Sequence, residues 1–374
     1  MGMDDIRPIA ERFLFDGRFH TAERYGNGHI NETYLVRTIV EDGSTRRYIL
    51  QKINHHVFRH PVRLMQNMVA VSDHIRTRVA ATGADASRSS VTVVPTVEGA
   101  SFTQHEDGTF WRAQVFIEGT LCIDQVEDVR HLYEAGKAFG NFQRLLEDFP
   151  AECLHETIPD FHNTPVRLRV FERAVAEDAV GRVASIAEDV RFLRERSGDA
   201  SRLVDLMGQG RLPLRVTHND TKLNNVLFDS ASGEAICVVD LDTVMPGLSL
   251  YDFGDAIRFA ANTAVEDEPD LDRVGLDFPM FEHFTRGYLE TAGPVLTEEE
   301  IRQLCFSARL ITYELALRFL SDHIAGDPYF RIHRPNHNLD RARCQMRLLL
   351  EMERHEAEME ASVRRILAET GQAR

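Results

Sequence analysis

The polarity pattern divides the chain in two. Up to about residue 115 the apolar residues come in short runs of strand character, and beyond Gly119 they recur at spacings of three and four. Tyr34-Leu35-Val36-Arg37-Thr38-Ile39-Val40 is β-branched and apolar, Glu41-Asp42-Gly43-Ser44 has turn chemistry, and Arg46 to Ile53 resumes the apolar run. Two such runs around an Asp-Gly turn predict a β-hairpin. Pro61 suits a first helical position and predicts a helix behind it. Val91-Thr92-Val93-Val94 and Thr109 to Ile117 read as further strands, with Asp107-Gly108 as the turn between them. In residues 131–146, Leu132, Ala135, Phe139, Phe142 and Leu145 share one helical face. Thr297-Glu298-Glu299-Glu300 is a capping-box pattern that opens a helical run to Ala325, and Asn338 to Ala368 is again helical. One β-type island, Leu214 to Asp242, interrupts the helices. The expected class is therefore α+β, with a β-rich N-terminal lobe over 1–117 and a mainly helical C-terminal lobe over 118–374.

Length and composition narrow the function. At 374 residues the chain is expected to form two or three lobes. No stretch approaches about 18 uncharged apolar residues, so no membrane span is expected. Met1-Gly2-Met3-Asp4-Asp5-Ile6 lacks the basic and apolar blocks of a signal peptide, and it does not meet the myristoylation pattern. The five cysteines are scattered and form no C-x-x-C pair, which fits a reducing cytoplasm and gives no zinc or disulfide framework. The net charge of −16 argues against a nucleic-acid partner, yet it leaves room for an anionic nucleotide held by a few local cations.

The chemistry gathers in the β island. Phosphoryl transfer needs a group to orient the attacking hydroxyl, hard oxygen ligands for magnesium, and cations for phosphate charge. His218-Asn219-Asp220-Thr221-Lys222-Leu223-Asn224-Asn225 supplies Asp220 as a base, Lys222 for a terminal phosphate and the Asn225 carbonyl oxygen for magnesium. Asp240, at the end of the apolar run Ile236-Cys237-Val238-Val239, offers a carboxylate to the same ion. The order matches the protein-kinase catalytic loop, H-R-D-L-x-x-x-N, with Asn219 in place of arginine. As ordinary structure, the same residues would be a core histidine and turn-forming polar residues, but that reading leaves the acidic strand end unexplained.

These motifs resemble the aminoglycoside phosphotransferase and choline kinase superfamily, a branch of the protein-kinase-like bilobal fold. Within it the chain is most similar to the N-acetylhexosamine 1-kinases. The resemblance is carried by Gly28 to Tyr34, Ile49 to Asn54, Phe116 to Thr120, His218 to Phe228, Asp240 to Gly247, Leu317 to Leu320 and Gly326 to Phe330. It implies an ATP- and Mg2+-dependent kinase that phosphorylates the anomeric hydroxyl of GlcNAc or GalNAc, with Asp220 as catalytic base and Asn225 and Asp240 as metal ligands. Asp242 is left open between a second metal or substrate contact and a simple turn. Choline, an amino acid, another sugar or an aminoglycoside are alternative acceptors, and a non-catalytic nucleotide-binding module is the alternative from another class.

Asp252-Phe253-Gly254 spells the kinase metal motif, but it lies about twice too far beyond Asn225, and Asp240 already holds that place. Asp252 and Asp255 are expected to brace the catalytic loop or cap a helix. On the nucleotide side, Gly26-Asn27-Gly28 would let backbone amides approach phosphates. Of Gln51 and Lys52 only one can face the cleft, and the kinase order favours Lys52. Residues 61–80 contain no Glu to fix that lysine, which leaves Asn67 or Gln66 as neutral partners. Val115 and Ile117 fall between the lobes, where backbone groups meet the adenine edge. On the acceptor side, the resemblance assigns sugar contacts to the region of Arg318 and Tyr329. Arg318 stands in an apolar helix and needs either a ligand or a carboxylate such as Asp322. Phe161 to Pro165 is a further cleft loop.

Overall fold

Cross-strand pairing of the β-branched runs builds the N-terminal region. The computed structural model describes residues 3–26, 30–124 and 128–372. Behind a short helix, α1 (Met3–Ala10), come three antiparallel strands, β1 (Arg18–Arg24), β2 (Glu32–Ile39) and β3 (Thr45–Ile53). The hairpin turns at Gly43, whose φ of 82° is open to glycine without cost. Helix α2 (Pro61–Ala80) follows, with proline in its first turn, and then β4 (Val93–Val94), β5 (Thr103–Gln104) and β6 (Phe110–Val115). The sheet order is β1-β2-β3-β6-β4, with β5 also on β6. The Asp107-Gly108 turn thus joins β6 to β5, a two-residue strand too short to leave a periodic trace. Neither α1 nor β1 is predicted by the pattern, because β1 is a half-exposed edge strand with three charged residues.

Strand alternation gives this sheet two distinct faces. Tyr34, Val36, Tyr48, Leu50, Trp111 and Ala113 pack against Ile6, Ile9 and Phe13 in one core. Ile53, on the opposite face, joins Leu64, Met65 and Met68 of α2 in the larger core that continues into the rest of the chain. Helix α2 is therefore sandwiched between the sheet and the helical region.

The C-terminal region is built on β7 (Thr120–Cys122), α3 (Val129–Leu145), α4 (Thr164–Glu177), α5 (Ala187–Glu195) and α6 (Arg202–Gly208). The island follows as β8 (Arg215–Thr217), β9 (Val226–Asp229), β10 (Ala235–Val238) and β11 (Met245–Gly247). Helices α7 (Ser249–Ala260), α8 (Phe278–Ala292), α9 (Glu298–Ile324), α10 (His337–Arg354) and α11 (Glu356–Glu369) complete it. The predicted apolar face of α3 is buried, and the helix also packs closely along α8. That approach needs three glycines, Gly136 and Gly140 on α3 and Gly287 on α8. A Cβ on Gly136 would sit 2.2 Å from the Phe284 carbonyl, and one on Gly287 2.0 Å from that of Tyr133. The expected helix over Asn338–Ala368 is two helices that meet at His355, a break marked by neither Gly nor Pro.

Helix α9 is buried almost all round and forms the axis of the region. Its start is the predicted capping box: Thr297 Oγ1 accepts from the Glu300 amide, and Glu300 Oε2 accepts from the Thr297 amide. Thr297→Ala is expected to cost about 1 kcal/mol, read as a lower denaturant midpoint with unchanged slope. Among the described residues no helix is long and apolar enough to cross a membrane.

Candidate active site

Strand β8 delivers the chain into the loop His218–Lys222, and a tight turn at Leu223–Asn225 hands it to β9. The β9–β10 hairpin returns it to Asp240, and β11 pairs back onto β8. This double return sets the two motifs side by side. The Val239 amide donates to the Asn225 carbonyl at 2.9 Å, and His218 Nε2 meets the Val239 carbonyl at 2.9 Å. Thr243 Oγ1 donates to the His218 carbonyl, and Asn219 Nδ2 to that of Thr243. Asn219 and Asp240 both take left-handed backbone conformations, with φ of 65° and 58°, which Asn and Asp tolerate better than most residues.

The loop hangs on two buried carboxylates of α7. Asp252 accepts the amides of His218 at 2.9 Å and Asn219 at 2.8 Å, and also Gln143 Nε2 from α3. Burial raises its pKa, while His218 and the two amides work against the rise. Asp255 accepts the Thr221 amide and is itself held by Arg258, which reaches on to Glu266. The Asp-Phe-Gly sequence is thus a brace for the catalytic loop. His218 is fully buried and edge-on to Phe139 and Phe142, so it supports the loop from beneath.

Four of the expected groups come together. Asn225 Nδ2 donates to the Asp220 carbonyl at 2.8 Å and to Asp220 Oδ2 at 3.1 Å, and Asn225 Oδ1 accepts no hydrogen bond among the described residues. Lys222 Nζ lies 2.9 Å from Asp220 Oδ1. Burial works to lower the Lys222 pKa, but Asp220 outweighs it and raises it, so the ammonium stays charged. Asp240 opens to solvent but is walled in by the cleft. Burial there, then Asp242 and Asp220, push its carboxyl up to about 6. Among the described residues nothing hydrogen-bonds the Asp240 carboxyl. Such a carboxylate beside the Asn225 amide oxygen is a donor set suited to a hard divalent cation that takes its other ligands from phosphate and water. Among the described residues no group of three His, Cys, Asp or Glu could hold a metal by itself.

The nucleotide side differs from expectation. Gly26 has a φ of 73°, while Asn27 and Gly28 lie outside the described residues. Lys52 shares its sheet face with Leu50 and Trp111 and pairs with Glu32 at 3.4 Å, across the β2–β3 register. The structure places Gln51 on the face turned to the catalytic loop instead, because side chains alternate along a strand. Gln51 Oε1 accepts from Arg112 Nε at 2.9 Å, and Arg112 Nη1 donates to Asp242. Asp242 Oδ2 also accepts from Asn31 Nδ2 at 2.5 Å. Asn67 does not serve Lys52 either. Its amide bonds the backbone of His155 and the Val244 carbonyl and so ties α2 to the C-terminal region. The Val115 amide is used by the Thr92 carbonyl, whereas that of Ile117 has no hydrogen bond among the described residues.

On the acceptor side Arg318 does not pair with Asp322. That carboxylate accepts the amides of Tyr329 and Phe330 and the Asn338 side chain. Arg318 lies over the rings of Phe161 at 5.3 Å and Phe330 at 5.6 Å, with no ion pair among the described residues. Arg167 stands close enough that, after burial, Arg318 is the next cause of its lowered pKa. Tyr329 is 68% exposed beside them. The fully buried Glu314, one turn before Arg318, bonds His162 Nδ1 at 2.9 Å and Thr164 Oγ1 at 2.7 Å. Burial works to raise the Glu314 pKa, but His162, Arg318 and Thr164 together outweigh it, and the result is lowered. His162 in turn acts on Asp252 and Asp255, so the arginines and the loop braces belong to one electrostatic neighbourhood.

Sequence reasoning missed Gln143, Arg112 and the cleft-facing role of Gln51. Arg112 had a signal: a charged residue between Trp111 and Ala113 in a strand interior has to find a buried partner.

A family model described as the phosphotransferase enzyme family matches residues 21–287. The fold is shared with a spectinomycin phosphotransferase solved with ADP and spectinomycin, at 13% identity and a TM-score of 0.56 over 94% of this chain and 97% of that one. A microcompartment-associated aminopropanol kinase matches at 16% identity and 0.56 over 96% and 98%. A Plasmodium vivax ethanolamine kinase matches at 16% identity and 0.50 over 87% and 82%.

Proposed function

This chain belongs to the phosphotransferase enzyme family, and from that premise we propose that it is an ATP-dependent kinase acting on the anomeric hydroxyl of an N-acetylhexosamine. The observation that carries the kinase chemistry is the convergence of Asp220, Lys222, Asn225 and Asp240, whose carboxyl has no hydrogen-bond partner among the described residues. Asp220, fixed by Asn225 and Lys222, orients the acceptor hydroxyl and takes its proton as the oxygen bonds to the γ-phosphorus and the bond to the bridging oxygen breaks, releasing ADP. Lys222 stays protonated and faces the transferred phosphoryl group. Asn225 Oδ1 and Asp240 would hold magnesium, which when bound neutralises phosphate charge. The Ile117 amide, which makes no hydrogen bond among the described residues, is a backbone donor for the adenine edge.

The acceptor class rests on the other end of the site. The spectinomycin, aminopropanol and ethanolamine enzymes take acceptors that carry amines. Here Arg318 lies over the rings of Phe161 and Phe330, and a second guanidinium, Arg167, stands near it and donates to the Phe161 carbonyl. Such a pocket repels a cationic acceptor and favours a neutral one whose carbonyl and hydroxyl oxygens accept hydrogen bonds, as an acetamido sugar does. Arg318→Met is expected to raise the sugar KM about tenfold or more with the ATP KM unchanged, since it removes a charge-assisted hydrogen bond from the acceptor alone. The defining experiment is ATP consumption across a panel of N-acetylhexosamines, plain hexoses, choline, amino acids and aminoglycosides, with the phosphate position of the product assigned by NMR. Turnover on choline or aminoglycosides but not on acetamido sugars would overturn the acceptor assignment. No turnover on any member would favour a non-catalytic nucleotide-binding module.

A further inference from the structure

We infer that Arg112, locked to Asp242, is the cation that the N-terminal sheet presents to the nucleotide phosphates, and that Lys52 is not. The inference rests on the phosphotransferase reading and deepens it. In kinase-type sites a strand cation touches the phosphates and is held in place by a carboxylate. Lys52 is badly placed for this. It lies on the sheet face of Leu50 and Trp111, and its partner Glu32 is a cross-strand neighbour on that same face.

The opposite face carries the alternative. Gln51 and Arg112 are directly paired across β3 and β6, and their side chains hydrogen-bond. Arg112 reaches past Gln51 to Asp242, two residues beyond the metal-type Asp240. The pair is buried, with side-chain exposures of 1% and 3%. Asn31, which opens the hairpin strand behind the glycine-bearing segment, holds the other oxygen of Asp242 and accepts the Asn54 amide. Arg112 thus joins the sheet, the hairpin entrance and the Asp240–Thr243 turn at one point.

Two features speak for a ligand rather than a strut. A buried ion pair carries a desolvation cost that apolar packing would avoid, so its presence at this junction calls for a use of the charge. Arg112 also keeps a donor in reserve. Nε serves Gln51 and Nη1 serves Asp242, while Nη2 makes no hydrogen bond among the described residues. A buried guanidinium fixed at two nitrogens, with no hydrogen bond at the third among the described residues, is preorganised for a phosphate oxygen that reaches it from the cleft. Gln51, neutral where a kinase would carry lysine, orients the guanidinium.

The test compares Arg112→Met, Arg112→Lys and Lys52→Met by calorimetric binding of Mg-ADP and of adenosine, which lacks phosphates. Arg112→Met is expected to weaken ADP binding about tenfold or more while adenosine binding stays near that of the parent protein, because a charge-assisted contact is lost. Arg112→Lys recovers part of the loss. Lys52→Met leaves both affinities within about twofold, as befits a half-exposed pair with Glu32. Asn31→Ala, which loosens Asp242 without touching Arg112, lowers ADP affinity by an intermediate amount. Equal weakening of ADP and adenosine by Arg112→Met would make Arg112 a strut and overturn the inference. So would loss of ADP binding in Lys52→Met with Arg112→Met unaffected. Failure of the unmodified protein to bind ADP would instead overturn the phosphotransferase reading itself.

Discussion

Asp220→Asn is expected to lower kcat about a hundred- to ten-thousand-fold while nucleotide binding is retained. The amide keeps the shape and still accepts from one neighbour, but it takes no proton from an attacking hydroxyl. It also changes the contact with Lys222, whose Nζ lies 2.9 Å from Asp220 Oδ1, into an ammonium facing a neutral group. Because the proposed role of Asp220 is toward the acceptor hydroxyl, the ADP affinity measured by calorimetry is expected to stay within a few-fold of the parent. Near-normal turnover would remove Asp220 from the role of base. Normal folding with lost ADP binding would place it on the nucleotide side instead.

Asp252→Ala is expected to have the largest effect on stability, about 3–5 kcal/mol. Each buried donor left without an acceptor costs about 1–3 kcal/mol, and Asp252 serves the His218 and Asn219 amides and Gln143 together. Both its oxygens are in use, so Asp252→Asn would turn an NH2 group toward an N–H and is expected to rescue little. Thermal and denaturant unfolding measure the loss. Any folded fraction should turn over slowly, since the loop that carries Asp220 hangs from these bonds. A shift below about 1 kcal/mol for both variants would mean that the loop holds its shape without the brace.

The catalytic loop was legible because its groups are close in sequence. Asp220, Lys222 and Asn225 lie within six positions, and one hairpin of ordinary length returns to Asp240, so local geometry alone brings them together. The strands of the hairpin, the face of α3 and the start of α9 were legible for the same reason: alternation, spacing and capping act within a few residues. The short strand β5 and the edge strand β1 were not, because pairing to a neighbour, rather than their own side chains, makes them strands.

The nucleotide and acceptor sides depended on contacts that no local pattern reports. Gln51 and Lys52 are adjacent, and a shift of one residue in register exchanges their faces; only the packing of Leu50 and Trp111 on α1 decides which looks into the cleft. The partners of Arg112 and Arg318 lie up to 130 and more residues away, or are aromatic rings rather than the nearby Asp322. By itself, then, the sequence determined the α+β class and the grouping of Asp220, Lys222, Asn225 and Asp240, since these follow from short-range spacing. The tertiary structure decided which of Gln51 and Lys52 lies on the face of Arg112 and Asp242, what braces the loop and what surrounds Arg318, because burial and long-range pairing choose among residues that the chain offers equally.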